Sequence, residues 1–463
     1  MTLPSLTRML CFTLLATLVS GCAPDPGQGE VPSAESVACP ATVAEWASGT
    51  AYAVNALVGY HGAVYRCLQA HTALDTWTPD AVPALWDLAQ CSSGGATGAG
   101  GGATGAGGGC GGSGGATGGG TTGGGTTGGG MTGSAGSSLV FSPYKDTSIN
   151  MNWNTNVIST NVSGAPTGFA GDLAANGGKT VTLAFAIGEC GNENWGGVPG
   201  AAMASANVSL LNQAGIKYIL STGGAAGSFT CGSDAGMATF LNRWAGPNLI
   251  GVDFDIEAGQ SASVIGELVA RIKSAHASFP NLRFSLTLAT LANNNGASTA
   301  QSLGAGAPDS FNFYGDQVMA AVQSTLGFSG ASSWPGYVTV NPMTMDYGSP
   351  SAGVCVVSGG ACQMGQSAIQ AALNLHDKWG VPFSNIELTP MIGGNDVAGE
   401  QFTLADADAL ASFAISHALA GVHYWSYDRD VDCPPGSASA TCNSLGGAGA
   451  HGFLERFLAA GLH

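Results

Sequence analysis

The chain has 463 residues, of which only 9% are charged, and its formal net charge is −17 with 12 Lys and Arg residues. An average soluble protein has about 25% charged residues. Nucleic acids and anionic membrane surfaces bind proteins through basic patches, so this acidic composition argues against both as partners. A neutral polymer fits the composition better.

Residues 1–21 have the pattern of a secretory signal. Arg8 is followed by the apolar run MLCFTLLATL and then by VSGC, whose small residues precede Cys22. The apolar run is too short for a membrane-spanning helix. VSGC is similar to a bacterial lipobox, which implies cleavage before Cys22 and attachment of lipid to its sulfur; cleavage with release is the alternative. Either way we expect an exported protein, anchored at the outer cell surface if it is lipidated.

The cysteines fit an oxidising compartment. Of 12 in the chain, ten remain once Cys11 leaves with the signal and Cys22 is lipidated, and an even number favours disulfides. The pairs that we expect are Cys355 with Cys362, Cys433 with Cys442, and Cys190 with Cys231. The connectivity of the other four stays open: Cys39, Cys67, Cys91 and Cys110. No CxxC pair or Cys/His spacing supports zinc, so we expect neither a metal nor another cofactor.

Composition divides the exported chain into three parts. Residues 92–137 are nearly all Gly, Thr, Ala and Ser, a composition that cannot bury apolar surface and is typical of a flexible linker. We therefore predict a small module over residues 39–91 and a large domain over residues 138–463.

The large domain alternates apolar, β-prone runs with amphipathic helical patterns. Eight runs predict strands: SLVFSPY, TVTLAFAIG, IKYILSTGG, LIGVDFDIE, RFSLTLATL, VTVNPMTMDYG, NIELTPMIGG and GVHYWSYDRD. SASVIGELVARIKSAHASF and GQSAIQAALNLHDKW have the spacing of helices. This α/β pattern predicts a parallel sheet covered by helices and closed as a (β/α)8 TIM barrel. A doubly wound open sheet is the alternative, but no Gly-rich phosphate motif favours it.

The fourth predicted strand ends in GVDFDIE, residues 251–257, in which acidic and apolar residues alternate. A period of two places Asp253, Asp255 and Glu257 on one face of the strand, and strand ends form the active site in such barrels. Because ionising all three together is unfavourable, we predict that one keeps a proton, which suits Glu257 as a general acid. Asp255 would share or orient that proton, and Asp253 would support it from deeper in the barrel. A solvated acidic edge or a calcium site is the alternative.

GVDFDIE is similar to the signature of family 18 glycoside hydrolases, the chitinases, whose loose pattern is Asp-Gly-x-x-Asp-x-Asp-x-Glu. LSTGG, MTMDYG and YWSYDRD resemble the motifs of strands three, six and eight of that family, in the same order. The resemblance covers most of residues 138–463. The chain departs from the family pattern at Ile250, where an outermost Asp is frequent, and at Met345, where many relatives have Tyr before Asp.

The resemblance implies a retaining, substrate-assisted hydrolysis of β-1,4-linked N-acetylglucosamine. Glu257 would protonate the glycosidic oxygen while the 2-acetamido carbonyl of the sugar attacks the anomeric carbon. Asp255 would orient the acetamide and stabilise the oxazolinium-like intermediate. The substrate contacts that the resemblance implies are Asp346, Met345, Tyr347, Trp425 and Asp396. For Trp425 a place in the barrel core is the alternative, and for Asp396 the alternative is a polar residue that caps a loop.

Residues 39–91 hold three tryptophans among short β-prone runs broken by Gly and Asn. The stretch resembles the small β-rich chitin- and cellulose-binding modules attached to such enzymes. Flat aromatic faces stack on sugar rings, and we predict that Trp77 and Trp86 contact chitin whereas Trp46 fills the small core.

Together these features predict a secreted, monomeric chitinase that binds chitin and N-acetylglucosamine oligosaccharides. Two other functions would use the same barrel. One is an endo-β-N-acetylglucosaminidase acting on glycoprotein glycans or peptidoglycan, and the other is a chitin-binding lectin without catalysis. The acidic end of the fourth strand favours an enzyme over the lectin.

Overall fold

The computed structural model describes residues 43–53, 56–67, 71–73, 78–79, 86–89 and 139–463, except positions 258, 329 and 437. The predicted signal and linker lie outside the described residues, together with Cys22, Cys39, Trp77, Cys91 and Cys110. Within the described residues, no helix has both the length and the apolar character needed to cross a membrane.

Eight parallel strands form the predicted barrel. In chain order they are β1 Val140–Asp146, β2 Thr180–Glu189, β3 Lys217–Gly223, β4 Leu249–Ile256, β5 Arg283–Ala289, β6 Val338–Thr344, β7 Glu387–Pro390 and β8 Gly421–Tyr424. Each strand pairs with the next, and β1 closes the ring because it pairs with both β8 and β2. The predicted TIM barrel and its eight strands are confirmed, and the alternative of an open sheet is excluded.

Helices cover the outside of the barrel. Over the described residues they are α1 Phe169–Ala175, α2 Gly200–Gln213, α3 Asp234–Arg243, α4 Ala262–Ser278, α5 Phe313–Leu326, α6 Met364–Trp379, α7 Leu404–His417 and α8 Gly452–Ala459. Both helices predicted from spacing are present, as α4 and α6. The hydroxyl of Ser261 accepts the Val264 N–H at the start of α4, and Thr403 and Asp406 form a capping box on α7, so local sequence fixes these starts.

Short elements decorate the loops. Two-residue strand pairs are Ser159–Thr160 with Thr167–Gly168, Asn194–Trp195 with Val198–Pro199, Val357–Ser358 with Ala361–Cys362, and Gly393–Gly394 with Gln401–Phe402. Phe229–Thr230 adds a short strand beside β2, and 3-10 turns occupy Gly304–Gly306, Ala331–Ser333, Phe383–Asn385 and Tyr427–Arg429. The three predicted disulfides are confirmed: Cys190–Cys231, Cys355–Cys362 and Cys433–Cys442.

The small module has its own β-structure. Leu57–Tyr60, Ala63–Cys67 and Trp86–Leu88 form a three-stranded antiparallel sheet, and Ala51–Tyr52 pairs with His71–Thr72. The first two strands of the sheet are joined by His61 and Gly62, both with positive φ, which suits a tight two-residue hairpin.

Two separate clusters of buried apolar side chains lie in the two folded parts. The large cluster lies between barrel strands and helices, and the small one joins Val58, Cys67 and Trp86. Trp86 is only 2% exposed and packs edge-on against Tyr52. The prediction that Trp86 stacks on chitin is therefore wrong, because its rings fill the core that a domain of this size needs.

Candidate active site

Strand β4 carries the predicted carboxyls to one end of the barrel. Asp253 and Asp255 lie in the strand, 1% and 5% exposed, and Glu257 follows its last residue and is half-buried. Buried carboxyls are rare unless they are hydrogen-bonded or functional, so each one needs an explanation.

Four hydroxyl groups donate hydrogen bonds to Asp253. Its Oδ2 accepts the Tyr144 hydroxyl at 2.9 Å and the Ser221 hydroxyl at 2.6 Å. Its Oδ1 accepts the Ser285 hydroxyl at 2.7 Å and the Thr287 hydroxyl at 2.6 Å. These donors come from β1, β3 and β5, and Ser221 and Ser285 lie directly beside Asp253 in register. Both oxygens of this buried carboxyl are therefore hydrogen-bonded, as buried polar groups in folded proteins generally are.

Asp255 has no such support. Burial, together with the nearby charges of Glu257 and Asp253, raises the pKa of Asp255 well above its ordinary value. Its Oδ1 is buried and has no hydrogen-bond partner in the described part of the chain. Asp255 therefore favours its protonated form, with one oxygen left to accept a further hydrogen bond.

Glu257 is tuned toward neutral pH. Burial, and then the charge of Asp346, raise the pKa of Glu257 to about 7. Glu257 follows β4 and Asp346 follows β6, so residues from two strand ends together set the pKa of Glu257. Such a pKa in a cleft is typical of a catalytic acid or base.

Asp346 lies among charged groups of two other loops. Burial and the charge of Asp396 raise the pKa of Asp346 to about 6, while hydrogen bonds from the N–H groups of Val397 and Asp396 oppose the shift. Both of these N–H groups donate to Asp346 Oδ1, at 3.1 and 2.8 Å. The side chain of Asp396 is itself exposed, and its contact with Asp346 runs through its backbone.

Aromatic rings border the carboxyls. Trp425, which follows β8, is half-buried and stacks on Phe185 with ring centroids 5.5 Å apart and an interplanar angle of 19°. Tyr144 is 6.1 Å from the Trp425 ring and also donates to Asp253, so this aromatic group adjoins the acidic one. The half-exposed indole agrees better with a surface for substrate than with the barrel core.

Met345 and Tyr347, two substrate contacts predicted after the sixth strand, differ in their exposure to solvent. The side chain of Met345 is half-buried, whereas Tyr347 is 3% exposed and packs in the large apolar cluster. The prediction that Tyr347 contacts substrate is corrected, because its side chain is buried in the large apolar cluster.

Sequence reasoning missed several residues that build this site. Tyr144, Ser221, Ser285 and Thr287 hold Asp253, and Phe185 supports Trp425. One signal was readable, since Ser285 and Thr287 repeat with a period of two in an otherwise apolar strand. Among the described residues, no group of three or more His, Cys, Asp or Glu side chains could hold a metal ion.

Parts of the chain are similar to known proteins. Residues 45–87 match the model of carbohydrate-binding module family 5/12. The chain is 71% identical over 41 residues to Streptogrisin-C of Streptomyces griseus, covering 9% of each protein. It is 38% identical over 140 residues to Chitinase D of Niallia circulans, covering 30% of this chain and 21% of that protein. The catalytic domain of the hyperthermophilic chitinase from Pyrococcus furiosus has 24% identity and a TM-score of 0.48, over 70% of this chain and 97% of that one.

The chain spans 9% and 21% of the length of these two curated relatives. The match over residues 45–87 confirms the carbohydrate-binding module predicted near the N-terminus, and the resemblance to chitinases is confirmed as a similarity. A (β/α)8 barrel with a buried acidic group at its mouth and a carbohydrate-binding module is the class of protein that fold and comparisons define.

Proposed function

We propose that this protein is a chitinase, a glycoside hydrolase that cleaves β-1,4 bonds between N-acetylglucosamine units with retention of configuration. The observation that carries the proposal is the carboxyl of Glu257, whose pKa is raised to about 7 at the barrel mouth. A carboxyl with this pKa holds a proton near neutral pH and releases it at low cost, as general acid catalysis requires.

The first step would be transfer of the Glu257 proton to the glycosidic oxygen, which breaks the bond to the leaving sugar. The carbonyl oxygen of the substrate's 2-acetamido group would attack the anomeric carbon at the same time, so no enzyme carboxylate acts as nucleophile. Glu257, now ionised, would then take a proton from the water that opens the cyclic intermediate. That intermediate carries positive charge on the former amide.

Asp255 would stabilise this charge. Its raised pKa keeps it protonated beside Asp253, and its unpartnered Oδ1 would accept the N–H of the acetamide. As positive charge develops on that nitrogen, the hydrogen bond strengthens, which is preferential stabilisation of the transition state. The four hydroxyl donors on Asp253 would keep its side chain in place throughout the cycle.

The substrate and the organisation of the chain belong to the same proposal. Chitin is favoured over glycoprotein glycans because residues 45–87 match a carbohydrate-binding module and a relative is named a chitinase. Asp346 and the Trp425 face would hold the sugar beside Glu257. A signal over residues 1–21 would direct export, and lipidation at Cys22 would anchor the chain at the outer cell surface. A flexible linker over 92–137 would join the module to the barrel.

The experiment is the change Glu257→Gln, assayed on the soluble hexamer of N-acetylglucosamine. The amide keeps the size of the side chain but has no proton to transfer, so turnover should fall by about 10²–10⁴-fold while binding of the hexamer persists. Glu267→Gln is the matched control, because Glu267 is exposed on the outer helix α4.

Full turnover in Glu257→Gln would remove this residue from the acid role. Binding of the hexamer by a wild-type protein that never cleaves it would indicate the lectin. Cleavage of glycoprotein glycans in preference to the hexamer would indicate the endo-β-N-acetylglucosaminidase.

A further inference from the structure

A loop that follows β7 wraps around the turn that carries Asp346. We call it the 395–400 loop, after its residues Asn395 to Glu400. The loop is closed on itself, because the Asn395 N–H donates to the Glu400 carbonyl at 3.0 Å and the Glu400 N–H donates to the Val397 carbonyl at 3.1 Å. Its own backbone hydrogen bonds therefore fix the conformation of the loop.

The turn after β6 needs outside support. Asp346 has φ +51°, in the left-handed region that non-glycine residues occupy only when their surroundings hold them there. Its N–H donates to the side-chain oxygen of Asn395 at 3.3 Å, and its carboxylate accepts two N–H groups of the 395–400 loop. Both ends of the residue are thus tied to one loop.

Glu400 completes this support. Its Oε2 accepts the Tyr347 N–H at 3.1 Å and its Oε1 accepts the Gly348 N–H at 3.0 Å, so one carboxylate binds two successive backbone groups. Glu400 is 3% exposed, which leaves its oxygens no room to contact a substrate. Burial raises the pKa of Glu400 to about 7, against the opposing effect of the Tyr347 and Gly348 N–H groups, so this carboxyl is kept at a cost that an apolar loop residue would avoid.

We propose that Glu400 is a positioning residue for catalysis: it clamps the turn after β6 so that the carboxylate of Asp346 stays beside Glu257. The inference rests on the proposed hydrolase function and adds a residue 143 positions from Glu257 in the chain. Glu400 acts through Asp346 and touches neither the substrate nor the reacting atoms.

The clamp has an electrostatic consequence. The charged groups that act on the pKa of Asp346 are Asp396 from the 395–400 loop and Arg429 from the turn after β8, and Asp346 in turn raises the pKa values of Glu257 and Glu400. Asp346 is the charge that, after burial, raises the pKa of Glu257. If the turn relaxes, Asp346 moves away and the pKa of Glu257 falls, so the acid loses its proton at lower pH.

The test compares pH–rate profiles of the full chain on the N-acetylglucosamine hexamer. In Glu400→Gln the amide can accept only one of the two N–H groups. We expect kcat to fall about tenfold and the basic limb of the profile to move to lower pH. Glu400→Asp keeps a carboxyl group but is one methylene too short to reach both N–H groups, and its kcat should lie between those of wild type and Glu400→Gln.

Asp377→Asn is the matched control. Asp377 also accepts two successive backbone N–H groups, those of Leu303 and Gly304, and no residue of the proposed site lies in its contacts. The control should lower the Tm without moving the basic limb. An unchanged profile in Glu400→Gln, in an active wild-type background, would overturn the inference while leaving the hydrolase function intact.

A double variant gives a second measurement that is independent of folding yield. If Glu400 acts through Asp346, the combination of Asp346→Asn with Glu400→Gln should be no slower than Asp346→Asn alone. Multiplying losses would show two independent effects and would contradict the clamp. A wild-type protein that cleaves no N-acetylglucosamine polymer would instead refute the proposed function.

Discussion

Three carboxyls two residues apart on one strand behave differently because their neighbours differ. Asp253 has four hydroxyl donors, Asp255 has an oxygen without a partner, and Glu257 faces a second acidic residue from β6. Burial and neighbouring charges raise the pKa values of Asp255 and Glu257, so these two carboxyls hold protons at a higher pH than usual. The alternation in the sequence identifies the three carboxyls as one cluster. The role of each carboxyl depends on its partners from other strands, which the alternation does not show.

The raised pKa of Glu257 predicts a dependence of stability on pH. The ordinary value is 4.5 and the folded value is about 7, so between these pH values the unfolded chain has released a proton that the folded chain still holds. Folding stability therefore falls as pH rises through this window. Glu257→Gln removes the titration, and its Tm relative to wild type should increase from pH 4.5 to pH 7.

Thermal unfolding at a series of pH values measures this difference. The exposed Glu267→Gln is the control, and its Tm relative to wild type should stay constant over the same range. A Tm difference for Glu257→Gln that does not change with pH would mean that Glu257 is not held protonated in the fold.

At the scale of elements, the strands were predictable and the loops were not. Six of the eight barrel strands are seven or more residues long and largely buried, and burial on both faces is what makes such runs visible in a sequence. The 395–400 loop has no periodicity, and Glu400 is 54 positions from Asp346, so no local pattern links them. Trp86 was misassigned because tryptophan serves both cores and sugar surfaces, and only its 2% exposure separates the two uses.

The Cys190–Cys231 disulfide joins the loops that follow β2 and β3, which border the barrel mouth. It closes a segment with a sequence separation of 41, and both cysteines are buried. Replacing both by Ala should lower the free energy of unfolding by about 2–4 kcal/mol, because the unfolded chain regains loop freedom. Denaturant titration of the oxidised proteins measures the change.

Replacing Cys355 and Cys362 is the comparison for this disulfide. Their separation is only 7, so the loss of stability should be smaller. Equal losses from the two pairs would show that strain or packing, rather than loop length, decides what each disulfide contributes.

At the scale of the whole molecule, two folded parts have separate apolar cores, and the proposed function gives them separate tasks. Every residue that we assign to chemistry lies between positions 139 and 463, and residues 45–87 carry the module match. The sequence between them is nearly all Gly, Thr, Ala and Ser, which is typical of a linker that leaves each part to act on its own. With a formal net charge of −17, the chain has no long-range electrostatic attraction to a neutral polymer, so under the proposed function the module would bring the barrel to it.

A fragment that begins at Ser138 separates the two tasks. It should hydrolyse the soluble hexamer as fast as the full chain, since the barrel holds the proposed acid and its partners. It should be slower on insoluble chitin, because a tethered module raises the local concentration of the barrel at the polymer surface.

Trp77→Ala in the full chain should show the same selective loss on insoluble chitin. The measurements are both hydrolysis rates together with sedimentation on crystalline chitin. Trp86 is unsuitable for this comparison, because its removal would empty the module's core. Equal binding and degradation of insoluble chitin by the fragment and the full chain would show that residues 39–91 do not direct the barrel to chitin.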